Sequence, residues 1–202
     1  MKVREFLSKL ACCALLCGIG LGCSREPAQD TSPVPKLVQA LETPEEAFPD
    51  KPLVVGDRVF DFRAIAHNGA AVKLSDFNES PTLVYFCDDV QLPICEATTL
   101  GLRDGWLALQ TQISMALVIA SEDIVHLRDY ASKKKLPLLL LSDKDGKLKR
   151  LFGLGAGASS SYLVSTEREV LHVFAAPSGR GHGQEVVNQI HQLGLLKEAY
   201  PP

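Results

Sequence analysis

The sequence predicts an α/β fold, a three-layer α/β/α sandwich around a mixed central sheet. Apolar runs bounded by turn residues predict buried strands, and segments with helical periodicity lie between them. Strands that alternate with helices pair in parallel, whereas runs joined by a short polar turn form an antiparallel hairpin. The expected strands are 82–87, 114–121, 137–141, 162–165 and 170–174, and the expected helices are about 95–111, 123–134 and 183–193.

Local signals place these elements within one domain, expected at 53–197 and followed by a tail at 198–202. Asp123 or Ser121 stands near the start of the second helix, and a turn at 143–146 follows the third strand. The closing helix ends before Gly194, which suits the C′ position. Four apolar residues share one face of that helix: Val186, Val187, Ile190 and Leu193.

The N-terminus has the pattern of a signal peptide over residues 1–22. Lys2, Arg4 and Lys9 form a basic region, and the apolar stretch from Leu10 to Leu21 is too short to span a bilayer. Gly20-Leu21-Gly22-Cys23 resembles a bacterial lipobox, which implies lipidation of Cys23. The alternative is a plain cleaved signal peptide.

The proline-bearing segment 23–52 is predicted to begin with the lipidated cysteine and to continue as a flexible tether. The protein is therefore expected outside the cytoplasm, as a membrane-anchored lipoprotein that faces the periplasm or the cell exterior. The 202-residue chain would retain 18 basic and 23 acidic residues after removal of 1–22, a net charge of −5. This balance gives no indication of nucleic-acid binding, and the five histidines have no metal-site spacing. No cofactor or metal is expected.

Cys95 is the first candidate for chemistry, because it follows Pro93 where a strand should give way to a helix. Free N–H groups and the helix dipole at such a position favour the thiolate and lower the pKa of a cysteine. The alternative is a small buried hydrophobe, since free cysteine is among the most buried residue types.

Cys87 is the other thiol expected in the domain, eight residues before Cys95. That spacing matches neither a CxxC redox pair nor a metal site. Cys87 is predicted either to fill the end of strand 82–87 or to pair with Cys95. Pairing requires the two Cα atoms to lie within about 7 Å.

Several motifs resemble the peroxiredoxins of the AhpC/TSA superfamily, most closely the bacterioferritin comigratory protein branch. They are Val55-Gly56-Asp57 with Phe60-Asp61-Phe62, Gly69 with 72–77, Tyr85 to Cys95, and 136–147. The resemblance implies a thioredoxin-like fold and an antioxidant oxidoreductase in which Cys95 reduces a hydroperoxide. It also implies an external thiol or thioredoxin-like protein as reductant.

The same alignment shows departures from the family's catalytic motif. Asp88 replaces a shielding proline, Leu92 a threonine that contacts the thiolate, and Ser159 an arginine that stabilises it. Leu100 stands where the branch often has a resolving cysteine, so either an external thiol or Cys87 is expected to resolve the oxidised Cys95. Arg103 matches a family arginine and is either a supporting residue or a solvated charge.

Three functions follow. The first is a thiol peroxidase of reduced efficiency, because two side-chain donors are missing and Asp88 adds a negative charge near the sulfur. The second is a thiol-disulfide redox protein using Cys87 and Cys95. The third is a redox-inert, membrane-anchored binding module of the same fold.

Overall fold

The computed structural model describes residues 48–195, which form a mixed five-stranded sheet flanked by helices. The strands are β1 Arg63–Ile65, β2 Ala71–Lys73, β3 Thr82–Phe86, β4 Met115–Ala120, β5 Leu139–Ser142, β6 Ser160–Val164 and β7 Val170–Phe174. The helices are α1 Pro93–Asp104, α2 Trp106–Leu109, α3 Ile124–Lys134, α4 Lys147–Leu151 and α5 His182–Gln192. Short 3-10 helices occupy Leu74–Asp76 and Gly179–Gly181.

The order of the strands in the sheet is β5-β4-β3-β6-β7. β3, β4 and β5 are parallel, whereas β6 runs antiparallel to β3 and to β7. The predicted mixed sheet and its closing hairpin are therefore confirmed. β1 and β2 form a separate antiparallel hairpin that the sequence patterns did not predict.

Alternating side chains of each strand pack on opposite faces of the sheet, as the period of a strand requires. Leu83, Tyr85 and Cys87 face the layer built by α1, α2, α3 and α5. Val84 and Phe86 face the layer built by α4 and the β1–β2 hairpin. Cys87 therefore shares a layer with α1, whose Cys95 belongs to the same core cluster.

The first helix differs from its expected span of about 95–111. It begins at Pro93, because proline has a helical φ and lacks the N–H that would be unsatisfied in the first turn. It ends at Asp104, and Gly105 separates it from α2. Cys95 is consequently the third helical residue.

Other differences are smaller. β3 ends at Phe86, although the N–H of Cys87 still bonds the carbonyl of Ile119 at 3.0 Å. The expected strand 137–141 is displaced to β5, and α4 was not predicted. Leu193 follows the end of α5 and is 40% exposed, so it does not join the buried face formed by Val186, Val187 and Ile190.

α1 is held against the C-terminal layer by close backbone contacts at glycines. A Cβ at Gly101 would lie 2.6 Å from the carbonyl oxygen of Arg180, and one at Gly183 would lie 2.5 Å from that of Gly101. Such distances leave no room for a side chain. The approach fixes the position of α1 and, with it, of Cys95.

The predicted leader 1–22, the predicted lipidation site Cys23, most of the tether 23–52 and the tail 198–202 lie outside the described residues. Within residues 48–195, no helix combines the length and the apolar character needed to cross a bilayer.

Candidate active site

Cys95 lies in the first turn of α1, behind Leu92 as the N-cap residue and Pro93 as the first helical residue. Its side chain is only 2% exposed. The sequence prediction of a cysteine at a helix N-terminus is therefore confirmed for its position. The positive end of the helix dipole favours a thiolate there.

Interactions with its neighbours lower the pKa of the Cys95 thiol to about 6. The largest contribution is hydrogen bonding from the Cys87 thiol, which outweighs the opposing effect of burial. The Tyr85 hydroxyl and the N–H groups of Asp88 and Asp89 lower it further. The donors thus come from the strand and loop before the helix.

The site is loosely built around this sulfur. Within residues 48–195, no hydrogen bond of ordinary distance and angle reaches the Cys95 sulfur, so the donors that lower its pKa do so through long or bent contacts. Catalytic hydrogen bonds are often long in a protein without its substrate and shorten when the substrate binds.

Cys87 has the opposite character. Its side chain is fully buried, and both cysteines are free thiols. Hydrogen bonding to Cys95, together with burial, raises the pKa of Cys87 well above its ordinary value. The structure thus brings the two predicted thiols together, with Cys95 favoured as the thiolate and Cys87 as the proton-bearing partner.

Tyr85 joins this site from β3, where strand alternation places its side chain on the same face as Cys87. The hydroxyl of Ser159 donates a hydrogen bond to the Tyr85 hydroxyl at 3.4 Å. Burial raises the pKa of Tyr85, so it stays a neutral donor. Ser159 therefore contacts Tyr85, which is itself one of the donors that lower the pKa of Cys95. The sequence analysis missed Tyr85, although its two-residue spacing from Cys87 on a buried strand was a usable signal.

Asp88 is not an unbalanced charge. Its carboxylate forms an ion pair with the ammonium group of Lys149, whose side chain is 6% exposed. This corrects the expectation that Asp88 simply opposes a thiolate. Lys149 was missed because its only signal was a lysine among the apolar residues of a short helix that had not been predicted.

The remaining candidates lie at the edge of the site or away from it. Leu92 is 45% exposed and makes no side-chain cap to α1. The guanidinium of Arg103 bonds the carboxylate of Asp104 and the carbonyl of Lys134. Arg103 is eight residues beyond Cys95, about 12 Å along a helix, so the structure does not bring it to the thiol.

Glu122 supports the loop between β3 and α1. Its Oε1 accepts a hydrogen bond from the N–H of Val90 at 2.7 Å, and burial raises the pKa of its carboxyl group. The carbonyl of Asp88 accepts a bond from the N–H of Ser121 at 3.0 Å. These contacts tie the loop that carries the Asp88 and Asp89 N–H groups to the end of β4.

The arrangement provides a nucleophilic sulfur with a second thiol beside it. A pKa near 6 makes Cys95 mostly thiolate at neutral pH, and the thiolate is the reactive form. The second thiol, Cys87, belongs to the same buried core cluster as Cys95. Such a pair suits two-electron redox chemistry of sulfur.

Comparison with known proteins agrees with this geometry. The profile of the AhpC/TSA family matches residues 55–173, more than half of the chain. Peroxiredoxin Bcp of Escherichia coli (strain K12) is 28% identical over 152 residues, covering 70% of this chain and 97% of that protein. The chloroplastic peroxiredoxin Q of Oryza sativa subsp. japonica is 29% identical over 101 residues, covering 50% of this chain and 46% of that protein.

Solved structures share the fold. Peroxidoxin BcpB from Mycobacterium tuberculosis superposes with a TM-score of 0.60 at 20% identity, covering 68% of this chain and 96% of that one. A mutant of PrxQ from Xylella fastidiosa superposes with a TM-score of 0.65 at 15% identity, covering 70% and 98%. The thioredoxin-like fold expected from the sequence is confirmed.

Proposed function

The chain belongs to the AhpC/TSA family, and we propose that it is a thiol-dependent peroxidase that reduces hydroperoxides through Cys95. The observation that carries the proposal is the surroundings of this sulfur. It lies in the first turn of α1, and Cys87, Tyr85 and two loop N–H groups together lower its pKa to about 6.

In the first step the Cys95 thiolate attacks the terminal oxygen of the hydroperoxide. A sulfur–oxygen bond forms, the O–O bond breaks, and the leaving oxygen takes a proton to become an alcohol or water. Cys95 becomes a sulfenic acid. Tyr85, which is neutral and paired with Ser159, is the side-chain donor available to the departing oxygen.

In the second step Cys87 resolves the sulfenic acid. The Cys87 sulfur attacks the Cys95 sulfur, a disulfide forms, and the hydroxyl leaves as water after accepting the Cys87 proton. The thiols already interact in the folded chain, which favours this step. An external thiol or thioredoxin-like protein then reduces the disulfide and is itself oxidised.

The efficiency of the first step is expected to be reduced. Leu92 and Ser159 stand where the family has a threonine and an arginine, and loss of one such donor typically costs roughly 100- to 1,000-fold in rate. The Asp88–Lys149 ion pair removes one expected penalty, and Tyr85 supplies one donor. We therefore expect a peroxidase that is slower than one with the complete motif.

Stopped-flow oxidation of purified residues 24–202 by hydrogen peroxide tests the proposal. The expected result is a second-order reaction of Cys95 faster than that of free cysteine at the same pH, absent from Cys95→Ser. A rate no faster than that of free cysteine would exclude the peroxidase.

The second candidate is thiol-disulfide exchange without peroxide turnover. The opposite shifts in pKa of two adjacent thiols favour it, because one attacks a substrate disulfide and the other resolves the mixed disulfide. It predicts rapid oxidation of the pair by a disulfide reagent when peroxide is slow. Inertness to both reagents would leave the binding-module function.

We further propose that the protein is exported and anchored to a membrane through a lipidated Cys23. The support is the basic and apolar leader ending at Gly22-Cys23. Cys23→Ala should abolish acylation and membrane fractionation. A wild-type protein without acyl mass would refute the anchor.

A further inference from the structure

The side chain of Lys149 is buried like that of a core residue, although it carries an ammonium group. It lies in α4 between Leu148 and Leu151, both of which belong to the core on that face of the sheet. Its side chain is only 6% exposed. Burial of an ammonium group is unfavourable unless it is paired. The contacts of Lys149 therefore indicate its role.

Two aspartates hold Lys149, one at its backbone and one at its ammonium group. The carboxylate of Asp143 accepts hydrogen bonds from the N–H groups of Leu148 and Lys149 at 2.8 and 2.9 Å. The ammonium group contacts the carboxylate of Asp88. Lys149 thereby connects the turn after β5 to the loop after β3.

Asp88 lies directly beside the thiols. Its N–H is one of the groups that interact with the Cys95 sulfur, and its neighbour in sequence is Cys87. On its other side, a Cβ at Gly157 would lie 3.8 Å from Asp88 Oδ2, so the segment between α4 and β6 comes close to the carboxylate. The side chain of Asp88 is 37% exposed, and its ion-pair partner is Lys149.

We propose that Lys149 is a positioning residue of the thiol site, which acts through Asp88 by cancelling the charge of that carboxylate beside Cys95. The inference rests on the proposed role of Cys95 as the reactive thiol. Without the ammonium group, Asp88 is an unbalanced anion next to a thiolate. The same ammonium group also favours the thiolate form of Cys87, which that sulfur needs to attack Cys95.

Other titratable groups face the pair and the thiols, and they stay constant across the variants below. Asp143 faces Lys149 from the turn before α4. Around the sulfurs are Tyr85 on β3, Glu122 before α3 and Tyr130 on α3, and Glu96 on α1 faces Tyr130. None of them is altered by a change at position 88 or 149.

The experiment measures iodoacetamide labelling of Cys95 against pH in the full-length chain. Cleavage at aspartate separates Cys87 from Cys95, since Asp89 lies between them. Lys149→Met should raise the apparent pKa of Cys95 by roughly one unit, the lower end of the effect of a nearby charge. Asp88→Asn should lower it by roughly half a unit, because the cation is then unbalanced. The double variant should return close to the wild-type value.

Opposite signs distinguish this proposal from a purely structural role, which would weaken the site in both variants. Lys149→Arg, which keeps the cation, should stay near wild type, and Lys147→Met on the exposed side of α4 should change nothing. Shifts of the same sign, or none in either variant, would overturn the proposal. If Lys149→Met does not fold, Asp88→Asn still tests the proposal, because the apparent pKa of Cys95 should fall in that variant. Lys149→Arg, which keeps the cation, should leave that pKa near its wild-type value.

Peroxide oxidation is measured separately on the same variants. If wild-type Cys95 proves unreactive toward peroxide while the labelling shifts have opposite signs, the positioning role holds and only the peroxidase proposal fails. If peroxide reacts but the shifts are absent, the positioning role fails alone.

Discussion

Cys87 ends the central strand and Cys95 occupies the first turn of the next helix, and their side chains are 0% and 2% exposed. Yet the pKa of Cys95 is lowered to about 6, whereas that of Cys87 is raised well above its ordinary value. The difference lies in the donors. Cys87, Tyr85 and two loop N–H groups are donors that lower the pKa of Cys95, whereas the neighbouring Cys95 sulfur raises the pKa of Cys87. Low solvent exposure alone therefore does not decide which cysteine reacts.

Replacement of Cys87 should have the largest effect on the reactivity of Cys95. Cys87→Ala removes the largest contribution to the Cys95 thiolate and the only other thiol within residues 48–195. No intramolecular disulfide should form within this part of the chain, and Cys95 should accumulate as sulfenic and sulfinic acid after peroxide treatment. Intact-mass spectrometry and non-reducing peptide mapping measure both.

Cys87→Ser is the matched control, because its hydroxyl keeps a donor but cannot form a disulfide. It should show the same overoxidation with a smaller rise in the pKa of Cys95. If wild-type protein also fails to form the Cys87–Cys95 disulfide, Cys87 is not the resolving thiol.

Restoring the missing donors should widen the difference between the two cysteines by adding donors on the side of Cys95. Leu92→Thr with Ser159→Arg adds a hydroxyl and a permanent cation near the sulfur. Peroxide oxidation of Cys95 should accelerate on the order of 10- to 1,000-fold, the range lost when single donors are removed. Stopped-flow kinetics measure the gain.

Leu92→Val with Ser159→Met provides the control of similar bulk without hydrogen-bonding groups, and it should show no gain. Asp88 is already paired with Lys149, which reduces its competition for the new arginine. Equal rates in both double variants would show that these positions do not line the reacting sulfur.

Of these variants, Tyr85→Phe should have the smallest effect on the pKa and the peroxide rate of Cys95. It removes one hydroxyl whose contribution to the pKa of Cys95 ranks below that of Cys87. A hydrogen bond to a charged group is worth about 1.5–3 kcal/mol, and the loose geometry here favours a loss of roughly tenfold or less in peroxide rate.

Tyr162→Phe is the matched control for Tyr85→Phe. Tyr162 is also fully buried, but it packs on the opposite face of the sheet, and its hydroxyl has no hydrogen-bond partner among residues 48–195. Its loss should leave Cys95 unchanged. An equal effect of both variants would indicate a general change in packing.

Much of the fold and part of the thiol site could be predicted from the sequence, because they depend on local patterns. Apolar runs located β3, β4 and β6–β7, and Pro93 with Cys95 marked the start of a helix. The alternation of a buried strand would also have placed Tyr85 beside Cys87. These signals act over a few residues.

The charge balance was not readable, because it depends on contacts between distant segments. Asp88 and Lys149 are 61 residues apart, and their pairing requires the position of α4, a helix of five residues. Arg103 matched a family position in sequence but lies on a different part of α1 from the sulfur. An alignment with the family identifies which residue type stands at a position. The residues that contact it in the folded chain determine whether it affects the thiol.

The pH dependence of labelling at each cysteine tests the central claim most directly. Iodoacetamide should modify Cys95 with half-maximal rate near pH 6, because the thiolate is the nucleophile, whereas Cys87 should stay unlabelled until strongly alkaline pH. In Cys87→Ala the midpoint for Cys95 should move upward. Coincident profiles for the two cysteines, or a Cys95 midpoint at the value of an ordinary thiol, would contradict the account.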